Sequence, residues 1–315
     1  MSKVYNMGPS PHIRTAETVD KVMYDVIIAL VPALLMAFYV FKVKALLVTA
    51  VSVIFCMLTE FVFNKVRKQE CTLHDGSAIV TGILFAFVVP AGMGLQYVAI
   101  GAIVSIALGK MLFGGLGQNV FNPALVGRAF VQASWPVAIT SFALDGMAGA
   151  TMLDGMKRSL PLADILIKGD NLYMSALIGK MGGCLGETSA LALLIGGAYL
   201  IYKKQIDWKM PAIIIGTVAV LTAVAGADPV MHVLSGGLML GAFFMATDMV
   251  TSPVTPKGKI IYAFGIGALI ALIRLKGGYP EGTAFSILIM NGVTPLINRY
   301  TMPKKFGEVK ADGKK

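Results

Sequence analysis

The tetrapeptide Ala148-Gly149-Ala150-Thr151 ends in a hydroxyl and lies in the one long polar segment of an otherwise apolar chain. A polar segment of this kind is where chemistry is expected, because loops carry binding and catalytic residues more often than buried elements do. Small residues that end in a hydroxyl are also common in ordinary turns. The spacing alone therefore assigns no chemistry to Thr151, and the rest of the chain has to supply the context.

A second group of polar residues begins an apolar segment. Asn122 precedes Pro123, which removes a backbone donor, and an asparagine can satisfy backbone groups freed at a broken helix. Arg128 follows six residues later and would be costly at membrane depth unless it is paired or near water. An arginine of this kind suits a phosphate or a carboxylate. The alternatives are a helix start without a ligand and an arginine that extends to the membrane interface.

Carboxylates form a third group. Asp248 follows Thr247 and precedes a turn rich in threonine and proline, so its oxygens could coordinate a cation or bind sugar hydroxyls. The alternative is an aspartate that caps a helix end. Asp25 and Glu60 fall within apolar segments and are candidates for ion or proton relay, or for structural pairing.

The composition indicates a membrane protein. Hydrophobic residues make up 56% of the 315 residues and charged residues only 14%, whereas soluble domains carry about 25% charged residues. The net charge of +10 resides in short runs between apolar segments, without interleaved aromatic residues, which excludes a nucleic-acid-binding protein. The three cysteines and three histidines show no metal-ligand spacing, and no catalytic triad or phosphate-binding loop is evident. We therefore assign neither a metal site nor catalytic residues.

Ten apolar segments approach the roughly 20 residues needed to cross a bilayer. The predicted spans are 22–41, 45–64, 77–91, 95–113, 119–140, 187–202, 210–226, 230–247, 259–275 and 281–298. The polar segment 141–186 divides them into two sets of five, and an odd number makes the two sets run in opposite senses through the membrane. The fold class is therefore all-α integral membrane, with about ten transmembrane helices as two inverted five-helix repeats. Faint similarity between residues 100–104 and 266–270 supports this interpretation.

The distribution of basic residues orients the chain. With the N-terminus inside, the inner segments hold more than twice as many lysines and arginines as the outer ones, which places both termini in the cytoplasm. The organisation is then a tail and first repeat (1–140), an extracytoplasmic loop (141–186), and a second repeat with a cytoplasmic tail (187–315). These charges orient the chain but do not identify the membrane.

Three motifs in order resemble a known family. They are residues 145–151 with Leu153 just beyond, residues 117–124 followed by Gly127-Arg128, and Thr247-Asp248 with residues 251–253. The opening residues 7–14 match as well. These motifs are similar to the D subunit of the Rnf complex, an ion-translocating ferredoxin:NAD⁺ oxidoreductase, and to the B subunit of the sodium-pumping NADH:quinone oxidoreductase. The resemblance covers nearly the whole chain, and it implies the inner (cytoplasmic) membrane of a prokaryotic cell as the location.

The resemblance implies a flavin site. In the family, the last threonine of a Ser/Thr-x-Ala-Thr motif carries FMN through a phosphoester bond, which assigns the covalent flavin to Thr151, with Gly149 and Ala150 beside it. Ala148 and Met152 depart from the family pattern, which usually has Ser or Thr and often Pro at these positions. Some relatives also bind riboflavin noncovalently, and Asn122, Arg128 and Asp248 are the residues expected to contact a flavin within the membrane.

The implied function is electron relay in a translocase that is not active as a single subunit. Electrons would pass from ferredoxin to NAD⁺, coupled to outward movement of Na⁺ or H⁺. The expected partners are the FMN-carrying G subunit, the membrane-embedded A and E subunits, the C subunit, the ferredoxin-facing B subunit, and the lipid bilayer. The alternative is a urea-type solute channel or permease of five-plus-five inverted repeats, without flavin. The sequence does not decide between Na⁺ and H⁺, or whether ions pass through this chain.

Overall fold

The computed structural model describes residues 18–140, 151, 153, 172–179, 182–187, 189–278 and 281–303. Within these residues the regular structure is helical, and an isolated bridge between Pro90 and Cys184 is the β-type pairing that they contain. The expected all-α class is confirmed for this part of the chain. Gly149 and Ala150, with most of the segment 141–186, lie outside the described residues.

The described residues of the first half form six α-helices. They are α1 (Val19–Phe41), α2 (Val43–Val66), α3 (Ser77–Phe87), α4 (Leu95–Gly109), α5 (Pro123–Ser134) and α6 (Pro136–Ile139). The second half contains α7 (Leu172–Ile178), α8 (Ala190–Tyr202), α9 (Lys209–Val224), α10 (Pro229–Leu234), α11 (Leu238–Leu240, which continues as a π-helical turn through Gly241–Met245), α12 (Pro256–Lys276) and α13 (Thr283–Thr301). Single 3₁₀ turns lie at Leu73–Asp75, Met111–Phe113 and Leu185–Glu187.

Three helices begin with the same local signal, a capping residue followed by proline. The capping residues are Asn122 before α5, Asp228 before α10 and Thr255 before α12, and each side chain accepts hydrogen bonds from backbone N–H groups of the first turn. Proline is favourable there because the N–H that it lacks would have no partner within the helix. These dipeptides fix where the three helices start.

In the part of the chain that the structure describes, four helices are long and apolar enough to cross a membrane. They are Val19–Phe41, Val43–Val66, the stretch Leu95–Phe113 and Pro256–Lys276. Shorter apolar helices lie at Ser77–Phe87, Ala190–Tyr202 and Lys209–Val224. The protein is thus an all-α membrane protein, and ten complete crossings remain a prediction.

Two predicted spans are not single helices. The span predicted at 119–140 is helical from Pro123 to Ser134 and breaks before Pro136. The span predicted at 230–247 is not one continuous helix, because α10 ends at Leu234 and the chain turns at Gly236, whose φ of +70° favours glycine. Apolar composition shows that a segment is buried, but it does not show that the helix is continuous.

Glycines allow the helices of each half to pack closely. A Cβ at Gly127 of α5 would lie 2.7 Å from the carbonyl oxygen of Gly101 in α4, and a Cβ at Gly267 of α12 would lie 2.9 Å from that of Ile214 in α9. Between the halves, a Cβ at Gly196 of α8 would lie 2.1 Å from the carbonyl oxygen of Ala29 in α1. Small residues at these crossings bring backbones together, as is usual where helices pack in a bilayer.

Candidate functional site

A cavity lies where the beginnings of α3 and α5 meet the turn that follows α11. We call it the central cavity. The enclosed space measures about 90 Å³, below the range of about 300–1,000 Å³ typical of ligand sites, and the cavity has an open mouth. Its polar lining includes Ser77, Lys110, Asn119, Asn122, Thr247 and Asp248.

The structure brings together two of the predicted site residues in this cavity, Asn122 and Asp248. The Oδ1 atom of Asn122 caps α5 by accepting from the N–H groups of Ala124 at 3.1 Å and Leu125 at 3.4 Å. Its amide NH₂ group remains chemically suited to donate to a ligand. Both predicted alternatives for Asn122, the helix start and the ligand contact, are therefore compatible with its position.

Asp248 uses its carboxylate within its own turn. Oδ1 accepts from the N–H of Val250 at 3.3 Å, and Oδ2 accepts from the hydroxyl of Thr251 at 3.2 Å. Burial raises the pKa of the Asp248 carboxyl, and these two hydrogen bonds oppose that effect. A carboxylate oxygen can accept more than one hydrogen bond, so Asp248 can hold its turn and still receive a hydroxyl or N–H from the cavity.

Asn119 is a cavity residue that the sequence analysis missed. Its side-chain nitrogen donates to the carbonyl oxygen of Phe121 at 3.2 Å, whereas its Oδ1 atom is buried without a hydrogen-bond partner among the described residues. A buried acceptor without a partner costs free energy. Asn119 therefore favours a ligand that donates a hydrogen bond into the cavity.

A buried ion pair forms another part of the wall. The Nζ atom of Lys110 lies 2.8 Å from both carboxylate oxygens of Glu60, and it also donates to the hydroxyl of Ser77. Thr72 donates to Glu60 at 2.6 Å and accepts from Asn64 at 2.9 Å. Glu60, for which the sequence allowed either relay or structural pairing, is thus engaged in a satisfied polar network.

Asp25 is likewise paired and joins the two halves of the chain. It accepts from the hydroxyl of Tyr199 at 2.9 Å and from the side chain of Gln205 at 3.4 Å, and Lys203 lies 3.7 Å away. All three partners belong to α8 or to the turn that follows it. The carboxylate therefore ties α1 to α8.

Arg128 lies in a different region, which we call the arginine–glutamate cluster: Arg128, Glu187, Glu281 and Arg274. Arg128 is 7% exposed and lies 2.8 Å from Glu281 and 3.4 Å from Glu187. It also donates to the carbonyl oxygen of Val88 at the end of α3. The expectation that Arg128 binds an anion is met by carboxylates of the chain itself, and Arg128 is not among the residues that line the central cavity.

The same guanidinium group contacts three potential metal ligands. Donor atoms of Cys184, Glu187 and Glu281 lie within 4.8 Å of one another. Arg128 contacts all three, since its Nη1 atom is also 3.5 Å from the Cys184 sulfur. A cation of the protein thus pairs with these donors and accounts for their close approach.

Leu153, two residues from Thr151, lies beside the arginine–glutamate cluster. Thr151 and Leu153 are each 3% exposed. A Cβ at Gly236 would lie 2.7 Å from the Cδ1 atom of Leu153, 2.6 Å from Glu281 and 3.3 Å from Arg274. The side chain of Leu153 therefore packs on the Gly236 turn, and buried charged side chains lie beside it.

The fold and these two polar regions define a class of protein: a helical membrane protein with a polar cavity at the start of α5 and a buried charged cluster beside the Thr151 segment. Comparison with known proteins makes this more specific. The model of the NQR2, RnfD, RnfE family matches residues 6–307, so the chain belongs to that family.

Individual relatives match over almost their full length. The chain is 48% identical to the D subunit of the Na⁺-translocating ferredoxin:NAD⁺ oxidoreductase complex of Acetobacterium woodii and 45% identical to the D subunit of the proton-translocating complex of Clostridium ljungdahlii, with 96% of each chain covered. It is 35% identical to the D subunit of the ion-translocating oxidoreductase complex of Stutzerimonas stutzeri, with 92% of each chain covered. These relatives are named as subunits of ion-translocating oxidoreductase complexes, and the names of the first two differ in the ion.

Proposed function

We propose that this chain is the D subunit of an ion-translocating ferredoxin:NAD⁺ oxidoreductase complex and that it carries FMN on Thr151 through a phosphoester bond. Similarity to named D subunits over nearly the whole chain is the observation that carries the proposal. The proposed role is electron relay between ferredoxin and NAD⁺, coupled to translocation of Na⁺ or H⁺. As in other multi-subunit complexes, the isolated chain would not complete the reaction.

A buried arginine supports a covalently attached phosphate on Thr151. Arg274 lies close to Leu153, two residues from Thr151, and a guanidinium matches the geometry of phosphate oxygens. When bound, FMN would supply reversible electron transfer through its isoalloxazine ring. The chain's own contribution is to hold the attachment point on the Gly236 turn. Because Thr151 is only 3% exposed, we expect the modifying enzyme to act before this segment packs.

A second, noncovalent flavin, for which riboflavin is the candidate, is proposed to bind at the mouth of the central cavity, because the enclosed space of about 90 Å³ would hold only part of it. The orphaned Oδ1 of Asn119 would accept from the ligand, the Asn122 amide would donate to it, and Asp248 would accept from its hydroxyl groups. These residues would orient the ligand, and the apolar side chains of Phe243 and Phe244 in the lining would exclude water from it. Arg128 has no part in this proposed site.

The proposed topology has ten crossings as two inverted five-helix repeats, with the termini in the cytoplasm of a prokaryotic cell and the flavin loop outside the inner membrane. The packing of the two halves supports the repeats, because corresponding helices make corresponding contacts: α2 contacts α4 and α4 contacts α5, while α9 contacts α12 and α12 contacts α13.

The proposed partners are the G subunit with its own FMN, the membrane-embedded A and E subunits, and the C and B subunits of the same complex. Exposed apolar residues on α1 and α2, such as Leu35 and Leu46, suit lipid or neighbouring membrane proteins of the complex.

The test is the mass and ultraviolet-excited fluorescence of the denatured chain, expressed together with the flavin transferase. We expect a fluorescent band and an FMN-sized mass increment on the peptide that contains Thr151. Thr151→Val should abolish both, whereas the control Thr140→Val, which removes an exposed hydroxyl close to the same loop, should leave both intact. An unmodified wild-type chain would refute the covalent site and favour the urea-type channel or permease.

The cavity flavin has a separate test. Acid treatment of the purified complex should release riboflavin and leave FMN on the chain. Asn119→Ala should lower the amount of released riboflavin without changing the covalent FMN. Thr151→Val should abolish the covalent FMN without changing the amount of released riboflavin. Equal release from the wild type and from Asn119→Ala would show that the flavin binds elsewhere.

A further inference from the structure

Arg274 is a buried arginine whose anionic partner is missing from the described residues. It lies in the last turn of α12 and is 4% exposed. Its guanidinium donates to the carbonyl oxygens of His232 and Ser235 at the end of α10, and its Nε atom is buried without a partner. Carbonyl oxygens satisfy some of its donors, but they do not neutralise its charge.

The neighbouring carboxylates are already committed to other groups. Glu281 contacts Arg128 through Oε2 at 2.8 Å and accepts from the N–H of Gly237 through Oε1 at 3.2 Å. Glu187 also lies within ion-pair distance of Arg128, and within the described part of the chain no carboxylate lies at that distance from Arg274. The two glutamates balance the two arginines of the cluster in number, but neither forms an ion pair with Arg274, and its Nε atom has no partner among the described residues. A buried donor without a partner is unfavourable, so an anionic acceptor beside Arg274 would be stabilising.

The position of Arg274 indicates where that anion comes from. A Cβ at Gly236 would lie 2.6 Å from Glu281 Oε1, 2.7 Å from Leu153 Cδ1 and 3.3 Å from Arg274 Nη2. Leu153 is two residues from Thr151, which corresponds to at most about 7 Å of chain. A phosphodiester on the hydroxyl of Thr151 is therefore the candidate acceptor that the chain itself brings into this region.

We propose that Arg274 is a positioning residue that binds the phosphodiester between Thr151 and its FMN. This inference rests on the covalent attachment proposed above. A phosphodiester carries one negative charge, and the N–H groups of a guanidinium form charge-assisted hydrogen bonds to its oxygens. The bond neutralises Arg274 and fixes the attachment point against the Gly236 turn.

The experiment is a two-by-two comparison of thermal unfolding midpoints. Wild type and Arg274→Gln are each purified with FMN attached and without it, from hosts with and without the transferase. Attachment should raise the midpoint of the wild type by several degrees, because it supplies the missing anion. Arg274→Gln should lose this increment. The control Lys276→Gln removes an exposed positive charge from the same helix end and should keep it.

Further arms separate the possible outcomes. Arg274→Lys retains the charge without the planar donors and should keep part of the increment. If inorganic phosphate stabilises the unmodified wild type while FMN attachment gives the same increment with and without Arg274, the residue binds a free anion and the proposal is overturned. An equal increment in wild type and Arg274→Gln without any phosphate effect also overturns it.

Two controls address the folding of Arg274→Gln and the covalent attachment of FMN on which the inference rests. If Arg274→Gln fails to fold, ³¹P–¹⁵N dipolar NMR of the wild-type holo complex, with its arginines ¹⁵N-labelled in the guanidinium, decides the matter. A guanidinium nitrogen close to the flavin phosphorus in the wild type, and lost in Arg274→Lys, supports the contact, whereas no such nitrogen overturns it. A wild-type chain without FMN overturns both the covalent site and this inference, while modified chains without coupling overturn the inference alone.

Discussion

The buried pair of Glu60 and Lys110 gives the sharpest stability prediction. Neither residue is more than 2% exposed, and both carboxylate oxygens lie 2.8 Å from the ammonium nitrogen. Removing one partner leaves an unpaired charge in the interior, which costs about 3–5 kcal/mol. Glu60→Gln and Lys110→Met should therefore each lower the unfolding midpoint by on the order of 10 °C. The double variant has no unpaired charge and should recover most of that loss.

The assay is thermal unfolding of the purified complex in detergent, with intrinsic fluorescence as the signal, for the wild type, both single variants and the double variant. Lys65→Met serves as the control, since it removes an exposed lysine from the same helix as Glu60 and should change little. A double variant that loses as much as the two single variants combined would refute the reasoning, because the two charges would then not depend on each other.

Further predictions concern a helix crossing, a cap and a loop. Gly127→Ala should lower the free energy of unfolding by about 1–3 kcal/mol, since its Cβ would lie 1.9 Å from the Ser105 hydroxyl. Adding Ser105→Ala to this variant should restore only part of the lost stability. Asn122→Ala should cost about 1 kcal/mol of helix stability, which Asn122→Asp restores. Tyr173 donates to Asp228 at 2.7 Å and holds the pKa of that carboxyl below its usual range. This bond is complete above the unfolded pKa of about 4 and is lost as pH falls through the folded pKa. The protection factors of the α7 amides, which correct for the intrinsic exchange rate at each pH, should therefore fall in acid, whereas in Tyr173→Phe they should be low at every pH.

The positions of the helices could be predicted from the sequence because apolar segments, caps and prolines act locally. Spans 22–41 and 45–64 lie inside the observed α1 and α2, and Asn122-Pro123 fixes the start of α5. The break within the predicted span 230–247 could not be predicted so well, since its residues are nearly all apolar on both sides of Gly236. The signal was present in Ser235-Gly236-Gly237, where a positive φ suits glycine, but glycine is also common within membrane helices.

The site residues divide in the same way. A local motif identified Asn122, and its capping role depends only on the residues that follow it. The pairing of Arg128 with Glu281 joins residues 153 positions apart, and the demand for an anion at Arg274 appears only when its surroundings are known. The cost of a buried arginine can be read from sequence, whereas the identity of its partner depends on tertiary packing.

Helix α5 links the two polar regions and explains why one motif serves both. Asn122 caps its start at the central cavity, and Arg128 lies six residues further on, about 9 Å along the helix, in the arginine–glutamate cluster. Gly127, next to Arg128, allows α5 to pack against the backbone of α4, which holds the whole helix in one position. The motif from Asn122 to Arg128 is therefore better understood as a rigid connection than as a single ligand site. A ligand in the central cavity would act on α5 at Asn122. A group held beside the Gly236 turn would act on α5 through the arginine–glutamate cluster, at Arg128. The two would therefore act on opposite ends of the same short helical segment.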